Sequence, residues 1–187
     1  MKLVLLTGLP GSGKSLVAKL LSEYLRAPTV NMGDVVREEA RRRGLPESRE
    51  VLSNIAIELR KNYGSDAIAK LTYEYWLRKL EGRAEVVIVD GVRSWDEVNY
   101  FKQRFGDVLV VAVHASPRTR FRRLRERGRS DDPRSWIEFV KRDLAELSMG
   151  VGTVIALADY VITNEKNSLT ELESKVRELA ELIKHES

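Results

Sequence analysis

Apolar residues in this chain fall into short unbroken runs separated by stretches of helical spacing. Lys2–Thr7 is a nearly continuous apolar run ended by Gly8, as expected of a strand buried on both faces. Lys14–Leu25 then places Leu16, Val17, Leu20, Leu21 and Tyr24 at helical intervals. Further strands are predicted at Pro28–Met32, Glu85–Val89, Val108–His114 and Asp159–Thr163. Between the second and third, Gly33–Arg43 and roughly Glu47–Leu80 have helical periodicity, interrupted at Gly44-Leu45-Pro46 and at Gly64.

Helix starts are legible from capping chemistry. Ser94-Trp95-Asp96-Glu97 and Ser168-Leu169-Thr170-Glu171 are capping boxes. Ser116-Pro117 and Asp132-Pro133 each set a cap residue before a proline, which predicts helices opening at both. The last helix carries Leu169, Leu172, Val176, Leu179 and Ile183 on one face. Strands alternating with helices imply an α/β fold, a five-stranded parallel sheet wrapped on both sides. Residues 1–187 read as one domain with two segments beyond plain crossovers, an insertion at about 33–81 and a short arginine-rich stretch at about 118–133.

Composition narrows the chemistry. The 187 residues include no Cys and two His, which excludes a disulfide framework, a thiolate metal site and a cysteine nucleophile. With 43% hydrophobic and 32% charged residues the chain is globular rather than disordered. No apolar run approaches bilayer length, and the apolar start enters a glycine-rich loop rather than a cleavage site, which reads as a cytoplasmic protein without a membrane partner. The net charge of +4 fits anionic small molecules as readily as nucleic acid.

The chemistry concentrates first in Gly8-Leu9-Pro10-Gly11-Ser12-Gly13-Lys14-Ser15, which satisfies G-x-x-x-x-G-K-S/T in full, behind a strand and ahead of a helix. Glycines let backbone N–H groups turn inward and approach a phosphate closely. The helix that follows aims its positive end at the same anion. Lys14 adds a full charge, and the Ser15 hydroxyl suits Mg²⁺. Asp90, ending the run Val86–Val89, is the natural second Mg²⁺ ligand, through water.

Arginines supply the second concentration. Arg37 follows Gly33-Asp34, and Arg93 follows Asp90-Gly91. Both lie beyond the carboxyl ends of predicted strands, where open α/β sheets bind ligands. Two guanidinium groups there suit a second phosphate. Arg118, Arg120, Arg122, Arg123, Arg125, Arg127 and Arg129 crowd one short stretch, read mainly as a charged helix face, with Arg123 and Arg127 sharing a side. A nucleic-acid surface, to which Arg41-Arg42-Arg43 would contribute, is the less favoured reading, because aromatic interleaving is sparse.

Taken together these motifs resemble the adenylate-kinase-like nucleoside monophosphate kinases of the P-loop superfamily over nearly the whole chain. Gly33-Asp34-Val35-Val36-Arg37 is similar to that family's T-G-D-x-L/I-R, with Met32 in place of Thr, and Asp90-Gly91-Val92-Arg93 to its D-G-F/Y-P-R, lacking the proline. Arg123 to Asp132 resembles the short-lid form R-x-x-x-R-G…G-R-x-D-D. Ala158 to Asn164, with Ser168 to Leu172, resembles the end of dephospho-coenzyme-A kinases and short adenylate kinases, and the overall pattern resembles an archaeal adenylate-kinase-related group.

The resemblance implies a three-layer P-loop NTPase fold in which the insertion binds the acceptor and the short lid closes over it. It implies ATP and Mg²⁺ as cofactors. Gly8, Pro10, Gly11, Ser12, Gly13, Lys14, Ser15, Leu16 and Asn164 would hold the nucleotide, and Ser15 and Asp90 the metal. Asp34, Arg37 and Arg93 would hold a small nucleotide acceptor. Lys14, Arg123, Arg127, Arg129 and Arg142 (or Lys141) would act on the transferring phosphoryl group. Three readings stay open. They are transfer to a nucleoside monophosphate, transfer to a hydroxyl with Asp34 as base, and a nucleotide-switched module acting on RNA or ribosome assembly. Oligomeric state is not legible.

Overall fold

The computed structural model describes residues 1–166 and 168–185. Five parallel strands lie in the order β2-β3-β1-β4-β5, with β1 at Lys2–Thr7, β2 at Thr29–Asn31, β3 at Val86–Asp90, β4 at Val108–His114 and β5 at Tyr160–Thr163. The central strand β1 is fully buried and pairs with β3 (Leu6 opposite Asp90) and β4 (Thr7 opposite Ala112). Strand alternation splits the core in two. Leu3, Leu5, Val87, Val89 and Val110 face one layer, while Val4, Leu6, Ile88, Val111 and Val113 face the other.

The second layer is made by α1 (Lys14–Leu25) and α9 (Leu169–His185). The first holds α2 (Met32–Arg42), α3 (Arg49–Tyr63), α4 (Ala67–Tyr75), α5 (Trp95–Phe105) and α8 (Val151–Ala156). Helices α6 (Pro117–Arg127) and α7 (Trp136–Ser148) follow β4. The expected breaks at Gly44-Leu45-Pro46 and Gly64 separate α2, α3 and α4. Arg60 on α3 donates to the fully buried Glu97 on α5, whose other oxygen accepts from the N–H groups of Arg93 and Ser94. The helical segment is thereby tied to the turn after β3.

Several expectations need correction. Asp132-Pro133 does not open a helix. Ser135 caps α7 instead, its hydroxyl accepting from Glu138 N–H, because the Asp132 carboxylate is taken by arginines. Helix α8 was not expected. Arg120 is no part of a charged face: it is 3% exposed. The Ser94 capping box is complete. Ser168 accepts from Glu171 N–H, while the Glu171 carboxylate reaches Lys175 and Lys166.

Candidate functional site: an anion cradle and an arginine-lined cleft

The glycine-rich loop runs from the end of β1 into α1. Gly8, Gly11 and Gly13 take φ of +151°, +83° and +95°, conformations that side chains rarely adopt. Each is also crowded. A Cβ on Gly8 would stand 2.5 Å from the Val113 carbonyl oxygen, one on Gly11 2.8 Å from that of Arg120, and one on Gly13 would collide with the Asn164 amide. Helix α1 begins on Gly13 with no side-chain cap and no acidic residue in its first turn, so its N-terminal N–H groups keep their affinity for an anion.

Three neighbours fix the loop from outside. Asn164, leaving β5, donates from Nδ2 to the Ser12 carbonyl at 2.9 Å and is held in place by its N–H on the His114 carbonyl. Arg123 reaches the same side chain, at 3.4 Å from Asn164 Oδ1. Arg120 donates to the carbonyls of Pro10 and Ala115, lies over the Phe139 ring and grips Asp143 on α7 with two nitrogens at 2.7 and 2.5 Å. The Ser12 hydroxyl is buried without a hydrogen-bond partner among the described residues.

On the open side of the loop, Lys14 Nζ donates to Asp90 Oδ1, and Asn31 Nδ2 lies 3.4 Å from Asp90 Oδ2. Asn31 sits opposite Asp90 in the sheet, and its own oxygen caps α2 by accepting from Gly33 N–H. The Arg37 guanidinium folds back toward Gly33, which lets Arg37 hydrogen-bond Asp34 at 2.6 Å with Glu47 at 3.9 Å. Asp34, Arg37, Asp90 and Lys14 therefore share one end of the sheet. The Ser15 hydroxyl and the buried Asp90 carboxylate are hard-oxygen groups, chemically suited to Mg²⁺, although the Asp90 oxygens here face Lys14 and Asn31.

The expected lid residues separate in space. Arg127 forks onto Asp132, which also accepts from Arg129 N–H and from Arg142 at 3.2 Å. The Arg127 guanidinium is the main cause holding the Asp132 carboxyl down at about 2. Arg123 faces Asn164 instead. The choice between Lys141 and Arg142 falls geometrically on Arg142 for contact with this segment. Arg93 points across to Glu146 on α7, with Nε 3.5 Å away. The Arg41-Arg42-Arg43 run is matched by carboxylates of Glu38, Glu47, Glu39 and Glu58. Sequence reasoning missed Arg120, whose burial has no local signal, and Arg49, which lines the cleft facing Asp131.

Comparison with known proteins agrees with this architecture. A family model described as "AAA domain" matches residues 7–139. A UPF0200 protein of Thermococcus sibiricus is 48% identical over 97% of this chain and 95% of its own length. The chain belongs to the UPF0200 family. Another member, from Methanocaldococcus jannaschii, is 44% identical over 96% of this chain and 91% of its own. Among solved structures, TT1252 from Thermus thermophilus superposes with a TM-score of 0.66 at 22% identity, covering 100% of this chain and 98% of that one. Shikimate kinase from Bacteroides thetaiotaomicron gives 0.61 at 20% identity, with 98% of each chain covered. The fold is that of a P-loop NTPase, shared with these two structures.

Proposed function

We propose that this protein transfers a phosphoryl group from ATP, bound with Mg²⁺ at the glycine loop, to a nucleoside monophosphate, with an AMP-like acceptor favoured. The observation that carries this reading is the meeting of Lys14 with Asp90 at the open side of the loop, beside Asp34 and Arg37. In this arrangement Lys14 exchanges the Asp90 carboxylate for nucleotide phosphate oxygens, and Asp90 becomes available, with Ser15, to Mg²⁺. When bound, the metal would offset charge on the phosphate chain as the terminal phosphoryl group is transferred.

The remaining chemistry falls to side chains of this chain. Residues 33–81 form the acceptor lobe and 118–133 the lid. Arg37 and Arg93 place the acceptor phosphate in line, and Arg123, Arg127, Arg129 and Arg142 offset charge that develops during transfer. An acceptor phosphate is already an anion, so no general base is required. Gly8, Pro10, Gly11, Ser12, Gly13, Lys14, Ser15 and Leu16 hold the ATP phosphates, and Asn164 the nucleotide end of the loop. The reading is tested by measuring ATP turnover with Mg²⁺ against a panel of nucleoside monophosphates and dephospho-coenzyme A. Strong acceleration by one monophosphate supports it, while a basal ATPase that none of the panel alters overturns it.

A hydroxyl acceptor is the second reading, supported by Asp34. This carboxylate is half-exposed at the open end of the sheet and oriented by Arg37, as a general base for an alcohol would be. Shikimate kinase, by its name, acts on such an acceptor. Asp34→Asn separates the two, abolishing transfer to a hydroxyl but leaving most transfer to a phosphate.

A further inference from the structure

Helix α6 packs inward through Arg120 and Leu124, which are 3% and 1% exposed. On its opposite side stand Arg118, Arg122 and Arg125, at i, i+4 and i+7, all exposed. Arg118 and Arg125 make no hydrogen bond or ion pair among the described residues, and Arg122 has Glu126 3.9 Å away. The Arg41-Arg42-Arg43 run, by contrast, is matched by carboxylates.

Neighbouring segments do not cancel this charge. Between Arg118 and Arg129 seven arginines meet one acid, Glu126. Asp143 reaches in to Arg120, Asp132 to Arg127, and Glu165 to the Ser116 and Thr119 hydroxyls, while Asp131 is engaged by Arg142. Seven arginines against Glu126, Asp143, Asp132 and Glu165 leave a surplus of three positive charges. The helix packing also supplies the aromatic group that the local sequence lacks. Trp136, the first residue of α7, is 45% exposed and packs edge-on against Phe121, with ring centres 5.4 Å apart. The Arg125 guanidinium lies 5.8 Å from the centre of the same Phe121 ring. A row of guanidinium groups thus runs up to an exposed indole.

We propose that the outer face of α6, continued by Trp136, binds single-stranded nucleic acid. Arg118, Arg122 and Arg125 follow one another at about 4.5–6 Å along the helix axis and take phosphates of the strand. An unpaired base stacks on the Trp136 indole, which a base held in a duplex does not reach. None of these four residues belongs to the nucleotide or acceptor site, so this surface is independent of which acceptor that site takes.

The test fills the glycine loop with Mg²⁺ and a non-hydrolysable ATP analogue, then follows the anisotropy of labelled oligouridine and oligothymidine between about 50 and 200 mM salt. Each phosphate contact with a single strand adds about 0.7 to the slope of log affinity against log salt. The triple variant Arg118→Gln, Arg122→Gln, Arg125→Gln should therefore lose about 2 from that slope and weaken binding by about tenfold or more at the lower salt. Trp136→Ala should weaken binding by about tenfold with the slope kept, and Trp136→Phe should recover part of it. The exposed control Arg78→Gln, Arg83→Gln should bind as wild type does. The melting temperature and the affinity for the ATP analogue should be the same in wild type and the triple variant. Wild type that binds neither oligonucleotide at about 50 mM salt, or a triple variant with the wild-type slope, overturns the proposal. An unaffected Trp136→Ala variant, or a duplex bound as tightly as the single strand, also overturns it and leaves a general polyanion surface. Tighter binding of polyglutamate or of phosphatidylglycerol vesicles would assign the face to an acidic protein or a lipid surface instead. The tighter of the two oligonucleotides identifies the strand as RNA or DNA.

Discussion

Lys14 and Asp90 lie 76 positions apart, and their side chains form an ion pair at the mouth of the glycine loop, with Asp90 only 3% exposed. Neither group is well solvated, so each is the other's principal compensation. Lys14→Met strands the carboxylate and should lower the melting temperature, and it should cut nucleotide turnover by about 10²–10³-fold. Adding Asp90→Asn to Lys14→Met should restore part of the stability but none of the turnover. Strictly additive melting shifts would show that the two groups are not coupled.

Arg120 and Asp143 make a buried, two-pronged pair that also holds the Pro10 carbonyl. Arg120→Ala leaves Asp143 without its partner and should cost about 3–5 kcal/mol in chemical denaturation. Because the loop loses its outer support, nucleotide affinity should fall as well. A cost under 1 kcal/mol would mean that water replaces the guanidinium.

Gly13→Ala meets two obstacles, a φ of +95° and the Asn164 amide where a Cβ would stand. It should abolish nucleotide binding. Adding Asn164→Ala removes the collision and leaves the backbone penalty, so binding should return only in part. Full recovery would assign the whole effect to the collision, and no recovery would assign it to the backbone.

Asp132 titrates at about 2 against an ordinary 3.8, with Arg127 as the main cause. A depressed carboxyl contributes stability above its unfolded value and loses it as pH falls through the folded one. The contribution, about 2 kcal/mol, should therefore be complete above about pH 4 and vanish toward pH 2. Asp132→Asn should flatten that part of the stability–pH curve. An unchanged curve would show that the Arg127 fork does not stabilise the fold.

Much of this architecture follows from local rules. Buried strands read as apolar runs, and Ser94, Ser116 and Gly64 mark helix ends through hydrogen bonds a few residues away. Asp132-Pro133 failed for the complementary reason: a cap residue makes a poor helix start when distant arginines claim its carboxylate.

The sequence by itself determined the alternation of strands and helices, the glycine loop and the residue types that face phosphate, because backbone geometry and capping act over a few positions. Only the tertiary structure decided which charges meet. Arg120 entered the interior because its partner Asp143 is set by helix packing. A long side chain's electrostatic neighbours depend on distances in space, which periodicity along the chain does not encode.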